Sequence, residues 1–476
     1  MLTYDLSSRG NTPLYDSLYQ KMKADILQGK LKAGEKLPSK RSLAQHLKIS
    51  VVTVENAYAQ LILEGYLYSE EKRGYYVSVL EQSTPSAVGA ADTEESQSGE
   101  EQTAPPGSQP VFLDLTSNSI CSEKFPFSVW SRLMRQVLSE RSMCLLEPLP
   151  FNGAQELRNA LADYLYRFRG MAVTPSQIII GAGAEYLYGL IIQLLGRKHV
   201  FAVENPGYQK IPAIYRSHQV KCRPIDLDSE GMSVSQLRES DASVVHISPS
   251  HHFPTGIVMP IKRRQEILKW ANEKSERFLI EDDYDSEFRF SGRPIPTLYS
   301  IDTSQKVIYM NTFSKSLAPS IRISYMVLPD SLAEQFREKL SFYACTVPSF
   351  EQYTLARFIA RGYFEQHISR MRNFYKTQRD ETIQAIRSSP LANQVTILEE
   401  DAGLHFLLRV NTQLSDRQLK QEAEKHGVQI SCLSEYDSKR NQSSRHILVI
   451  NYSGADRERM AEGVRRLSQA LGFSAN

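Results

Sequence analysis

The feature that most constrains this chain is a break in its charge. From Gly74 to Glu123 there is no lysine or arginine, although the 476 residues contain 56 of them. Within that gap, Glu81 to Pro110 is rich in Ser, Glu, Gln, Pro and Gly and has no aromatic side chain. A segment so poor in apolar surface cannot offset the entropy lost on ordering, so a mobile acidic linker is expected there. It divides the chain into a head (1–78), a linker (79–110) and a body (111–476). One compact core spanning all three is thereby excluded.

Several function classes fall away at this level. The five cysteines are scattered singly, without CxxC or Cys/His spacing. That argues against a disulfide framework and against a metal site, and points to a reducing cytoplasm. A net charge of +2 means that any affinity for nucleic acid must come from a local patch. No uncharged apolar run reaches ~18 residues and the first residues resemble no leader, so neither a membrane span nor a signal peptide is expected.

The head reads as three helices and a hairpin. Leu14, Leu18, Met22 and Ile26 recur every four positions, and Gly29 closes that helix. Ser39 and Ser50 stand where N-caps of two further helices belong, the second presenting Val54, Ala57, Tyr58 and Leu61 on one face. Tyr66-Leu67-Tyr68 and Tyr75-Tyr76-Val77 flank a turn holding Lys72 and Arg73. This is a winged helix-turn-helix pattern, whose third helix suits the major groove while basic residues grip phosphates.

Short apolar runs alternate with helical periods along the body: Ile178–Ile180, Val200–Val203, Val244–Ile247, Phe278–Ile280 and Val307–Met310, with helices such as Ala184 to Leu195 and Lys262 to Glu273 between them. That alternation predicts a mainly parallel sheet covered on both faces, with ligands beyond the carboxyl ends of its strands. Chemistry-bearing residues follow several of these runs. Lys315 comes just after the run ending at Met310, between Thr312 and Ser314 on one side and Arg322 seven residues on. A desolvated lysine can form a Schiff base, while hydroxyls and an arginine fork can hold a phosphate. Asp282 and Tyr284 follow Phe278–Ile280 and suit a protonated pyridine nitrogen and a phenolic oxygen. Gly181-Ala182-Gly183-Ala184-Glu185 opens a helix whose amides can meet a phosphate, and Tyr208 offers a ring for stacking.

Two resemblances follow. Pro13-Leu14-Tyr15, Gly34, Leu37-Pro38-Ser39-Lys40-Arg41, Leu43-Ala44, Ser50, Thr53-Val54, Ala57-Tyr58 and Gly65-Tyr66-Leu67 resemble the GntR-type DNA-binding domain. This implies that Lys40, Arg41, Ser50, Thr53, Lys72 and Arg73 face DNA. Where members of that family often carry arginine after the helix-opening serine, this chain has Val51. The body motifs, with Ser248 to Gly256 and Asn152-Gly153, resemble fold-type I pyridoxal-phosphate enzymes of the aminotransferase class. That implies an α/β transferase fold with a smaller C-terminal α+β subdomain. Head, linker and body together resemble the MocR/GabR-type transcription regulators.

That family's pattern assigns Lys315 to the internal aldimine of pyridoxal 5'-phosphate, Asp282 to the pyridine nitrogen, Tyr284 to the phenolic oxygen and Tyr208 to stacking. The phosphate falls to Ala184, Glu185, Thr312, Ser314 and Arg322, with Glu185 serving through its backbone amide. Four positions depart from the pattern, the first being Glu185, where the phosphate turn commonly ends in Gln, Ser or Thr. Phe253 replaces the usual asparagine before Pro-Thr-Gly, Lys210 replaces an effector-gripping arginine, and Val449 stands where a carboxylate-binding arginine is usual, with Arg445 nearby. The resemblance implies a cytoplasmic regulator binding a double-stranded operator as a head-to-tail homodimer. It would sense an amino compound through external aldimine formation at Lys315. Two alternatives stand beside it: a competent aminotransferase carrying a DNA-binding head, or a sensor of pyridoxal phosphate itself.

Overall fold

The computed structural model describes residues 2–4, 13–70, 73–79, 110–117, 121–140, 143–290, 295–401 and 403–473. The chain's contacts separate into two units, residues 1–103 and 104–476. The segment expected to be a linker lies, but for its end residues, outside the described residues, as does Lys72.

In the head, helices α1 (Leu14–Leu27), α2 (Lys40–Leu47) and α3 (Val51–Leu63) bury Leu18, Met22, Leu43, Val54, Tyr58 and Leu61 against one another. Both expected caps form: Ser39 Oγ accepts from Ser42 N at 3.2 Å and Ser50 Oγ from Thr53 N at 3.1 Å. Each cap satisfies an amide that the helix leaves unpaired, which fixes the start of the helix. The Tyr58 hydroxyl donates to Pro38 O at 3.0 Å and ties α3 to the entrance of α2. The hairpin pairs Leu67–Glu70 with Gly74–Val77 and gains a third strand, Lys36–Leu37, on the outer edge of the latter. A two-residue strand has no periodicity to read, which is why the sequence pattern does not show it.

The body is built on an eight-stranded sheet. Its order is Ile178–Gly181, Ser324–Val327, Val307–Thr312, Phe278–Asp282, Val244–Ile247, Val200–Asn205, Lys221–Asp228 and Gly231–Met232. The five strands from Val307–Thr312 to Lys221–Asp228 run parallel. Ser324–Val327 is antiparallel to both of its neighbours, and Gly231–Met232 is antiparallel to the other edge. All six residues of Val307–Thr312 are buried, as expected of a strand covered on both faces. A smaller four-stranded antiparallel sheet, led by His405–Val410 and Ile447–Asn451, carries the helices Tyr363–Arg387, Asp416–Lys425 and Met460–Ala470. Among the described residues, no helix is long and apolar enough to cross a membrane.

The antiparallel strand matters for the site. Its first residue, Ser324, pairs with Gly181 on one side and Thr312 on the other. A strand entering from the carboxyl edge of its neighbours brings the residues before it to that edge. Arg322 therefore arrives beside Gly183 and Thr312, seven residues after Lys315 in the chain.

Candidate functional site

Nine residues singled out in the body come together on one cavity of about 600 Å³: Lys315, Asp282, Tyr284, Tyr208, Ala184, Glu185, Thr312, Ser314 and Arg322. Eight of them lie at or just after the carboxyl ends of strands, and Arg322 comes just before the antiparallel Ser324–Val327.

At one end stands a cup for an anion. The Ala184–Leu195 helix begins at Gly183 with no side-chain cap, so its first amides are left for another acceptor. Gly183 has φ +97°, and a Cβ there would lie 2.3 Å from Arg322 Nη2. Only glycine lets the guanidinium lie over that backbone. Arg322 itself holds a left-handed backbone at φ 52°. Beside it, Ser324 Oγ donates to Thr312 Oγ1 at 2.8 Å, and Thr312 Oγ1 lies 3.0 Å from Ser314 Oγ. The side chain of Glu185 also enters this cup. Its carboxylate accepts from Arg322 Nη2 at 2.6 Å and from Lys210 Nζ. The hydrogen bond from Lys210, aided by that from Arg322, outweighs burial and leaves the Glu185 carboxyl below its usual range. Lys210 is thus already paired.

At the other end, Asp282 presents a carboxylate held from behind. The Tyr188 hydroxyl donates to Asp282 Oδ2 at 2.5 Å, and His246 Nε2 lies 3.3 Å from the same oxygen. Tyr215 Oη is 2.5 Å from His246 Nδ1. Burial raises the Tyr215 hydroxyl well above its ordinary value, so it keeps its proton. His246 thus lies between the Tyr215 hydroxyl and the Asp282 carboxylate. This row holds the carboxylate in a fixed orientation. Sequence reasoning missed Tyr188 and His246. The signal was present in both: a histidine inside the buried run Val244–Ile247, and a tyrosine one turn beyond Ala184.

Lys315, on the same cavity, is pushed down to about 8 by burial, opposed by the charge of Asp285. Tyr284 Oη lies 3.2 Å from His251 Nδ1, which is 2.9 Å from Asp285 Oδ2. Tyr208 is 47% exposed and meets the Phe253 ring edge-on at 5.9 Å. Glu204 and His252 also line the cavity, 3.4 Å apart. Burial pushes Glu204 up to about 8 and His252 down to about 3, so near pH 7 both are largely uncharged.

The Glu281-Asp282-Asp283-Tyr284 run divides its labour. Glu281 accepts from the amides of Leu298 and Tyr299, each at 2.9 Å, and so caps a short helix. Asp283 turns away from the cavity to Arg169, 2.5 Å distant.

Arg445 does not reach this cavity. It is exposed before the start of Ile447–Asn451, while the other end of that strand pairs with His405 beside Phe253. The five residues of that strand hold its ends about 13 Å apart, and His446, between Arg445 and the strand, has a left-handed backbone at φ 58°. The strand's own Val449 is fully buried in an apolar cluster with Leu407 and Leu433, against which Phe253 and Tyr436 pack.

In the head, Arg41, Ser50 and Arg73 are exposed and Thr53 is half-buried. Lys40 Nζ is bonded to Glu55 Oε1 at 2.6 Å.

Residues 14–77 match the gntR family of bacterial regulatory proteins, and residues 110–467 match aminotransferase class I and II. An HTH-type transcriptional regulator of Bacillus subtilis, YdeL, is 37% identical over 96% of both chains. The probable rhizopine catabolism regulatory protein MocR of Rhizobium meliloti is 32% identical over 98% of this chain and 95% of its own. The chain belongs to the MocR-type transcriptional regulators. Its body is also similar to the solved kynurenine aminotransferase of Pyrococcus horikoshii, with 25% identity and a TM-score of 0.68 over 77% of this chain and 92% of that one. Regulators of the gntR family bind DNA through the head, and class I and II aminotransferases depend on pyridoxal phosphate. The two halves of this MocR-type chain thus bring a DNA reader and a cofactor-enzyme fold into one regulator.

Proposed function

We propose that this regulator holds pyridoxal 5'-phosphate in the body, senses a primary amine there, and thereby changes the affinity of its head for a double-stranded operator in the cytoplasm. The observation that carries this reading is the placement of Lys315, Asp282 and the Arg322–Gly183 cup on one cavity. An anion cup, a half-buried amine and a braced carboxylate fit the phosphate, aldehyde and ring nitrogen of that cofactor. Arg322, Thr312, Ser314 and the amides at Ala184 and Glu185 would hold the phosphate, Tyr208 would stack, and Tyr284 would meet the phenolic oxygen. When bound, the cofactor supplies an aldehyde carbon that exchanges one primary amine for another. Arg322 must release the Glu185 carboxylate to take a phosphate, and Glu185 then keeps Lys210.

Charge restricts the effector. Among the described residues lining the cavity, Lys210 and Arg322 both face Glu185, and Val449 packs among apolar side chains nearby. Holding a substrate carboxylate is a condition for fast transamination. Regulation needs only that the amine bind one state of the protein better than the other. A head-to-tail homodimer reading paired half-sites is part of this proposal.

The experiment is operator binding by the cofactor-loaded protein, with and without a panel of amines. One amine is expected to shift operator affinity at least tenfold, about 1.4 kcal/mol of coupling, and Lys315→Ala is expected to abolish the shift. No response to any amine, or steady turnover of an amino acid with a 2-oxo acid at enzyme rates, contradicts the proposal.

A pH dependence follows from Lys315. Uptake of pyridoxal phosphate requires the neutral amine, whose fraction grows about tenfold per unit below the pKa and levels off above it. With that pKa pushed down to about 8, the rate of uptake, read by visible absorbance after mixing, is expected to rise steeply from pH 6 and flatten above pH 9. A rate still climbing at pH 10 would mean an amine in ordinary solvent.

A further inference from the structure

The outward face of α3 has an uncommon composition for a helix that meets a polyanion. Val51 and Val52, in its first turn, are 42% and 62% exposed. Asn56 and Ala59 continue that exposed face at helical spacing. Its one charge, Glu55, is bonded to Lys40 on α2 at 2.6 Å. The face therefore offers methyl groups and an amide, and no arginine or lysine of its own. Exposed cations of the head include Arg41 on α2, Lys48 in the α2–α3 turn and Arg73 in the hairpin turn, the last 3.4 Å from Glu70. Those are positions for phosphates.

The major groove assigns a chemistry to each of these groups. Guanine is read by an arginine or lysine at O6 and N7, adenine by an asparagine or glutamine at N6 and N7, and thymine by apolar contact with its C5 methyl. A helix-turn-helix directs the N-terminal residues of its second helix at base edges. Here those residues are valines, capped into place by Ser50 Oγ. We propose that α3 reads A·T pairs: Val51 and Val52 pack on thymine methyls and Asn56 takes an adenine edge. Each half-site then carries thymines where the first turn enters the groove. This rests on the reading of the head as a DNA binder.

The test uses the full-length protein and a random-sequence duplex library. Half-sites enriched by selection are expected to carry A·T pairs under α3. Each thymine is then replaced singly by uracil, which lacks only the C5 methyl. Uracil is expected to weaken binding about fourfold per contacted thymine, the transfer value of one buried methyl group. Val52→Ala is expected to lose that sensitivity at one thymine, and Val52→Thr, which keeps a methyl, to retain part of it. The side chain is exposed, so neither change disturbs the packing of the head. Enriched half-sites built on G·C pairs, or binding indifferent to uracil, overturn the proposal while leaving the head a DNA reader. No enrichment over non-specific binding overturns the DNA reading as well, and would make the two valines a protein contact.

Discussion

Asp283→Ala is expected to destabilise the body strongly, whereas the same change at Asp282 is expected to leave its stability largely intact. The Asp283 side chain is 0% exposed, and Arg169 Nη2, itself 8% exposed at the side chain, lies 2.5 Å from it. Tyr309 and Ser286 donate to the same carboxylate at 2.7 and 2.8 Å. Removing one member of a buried pair strands the other charge away from water, at a cost of about 3–5 kcal/mol. Stabilities of whole domains are only about 5–15 kcal/mol. A fall in Tm of roughly 5–10 °C, or loss of soluble protein, is the expected outcome. Arg169→Met combined with Asp283→Leu should recover part of the loss, because no charge is then left unpaired. A shift within about 2 °C for Asp283→Ala would show that water reaches Arg169.

Asp282→Ala is expected to act on the cofactor. Its carboxylate faces the cavity, with Tyr188 and His246 behind it at 2.5 and 3.3 Å. A hydrogen bond to a charged group contributes about 1.5–3 kcal/mol, so affinity for pyridoxal phosphate should fall roughly 10- to 150-fold. Asp282→Asn keeps the shape and removes the charge, and most of the loss should persist. Tyr188→Phe removes one brace and should fall between the two. The readout is a binding titration of the cofactor-free protein, beside a melting curve. An unchanged Kd for Asp282→Asn would place the ring nitrogen elsewhere.

These neighbouring aspartates also mark how far the sequence could be read. The strand ends were legible because apolar runs such as Phe278–Ile280 stop abruptly at polar residues, and every body residue assigned to the cofactor lies on one cavity. Which of two adjacent carboxylates faces the cavity follows from a strand's alternation, but what the other meets does not. Arg169 is 114 residues before Asp283 in the chain and carries no local sign of its partner. The antiparallel Ser324–Val327 strand looks like any other short apolar run, so the route that delivers Arg322 needed the sheet order. Glu185 was assigned a role through its backbone amide, and only the fold reveals its side chain between Lys210 and Arg322. Arg445 is close to Val449 in sequence but is not among the residues that line the cavity.

The most direct measurement is the visible spectrum of the purified regulator after incubation with pyridoxal phosphate and gel filtration. A visible absorption band that remains with the wild-type protein, shifts with one amine and is absent from Lys315→Ala is the predicted result. A colourless wild-type protein, or a Lys315→Ala protein with the same band, would contradict the central claim.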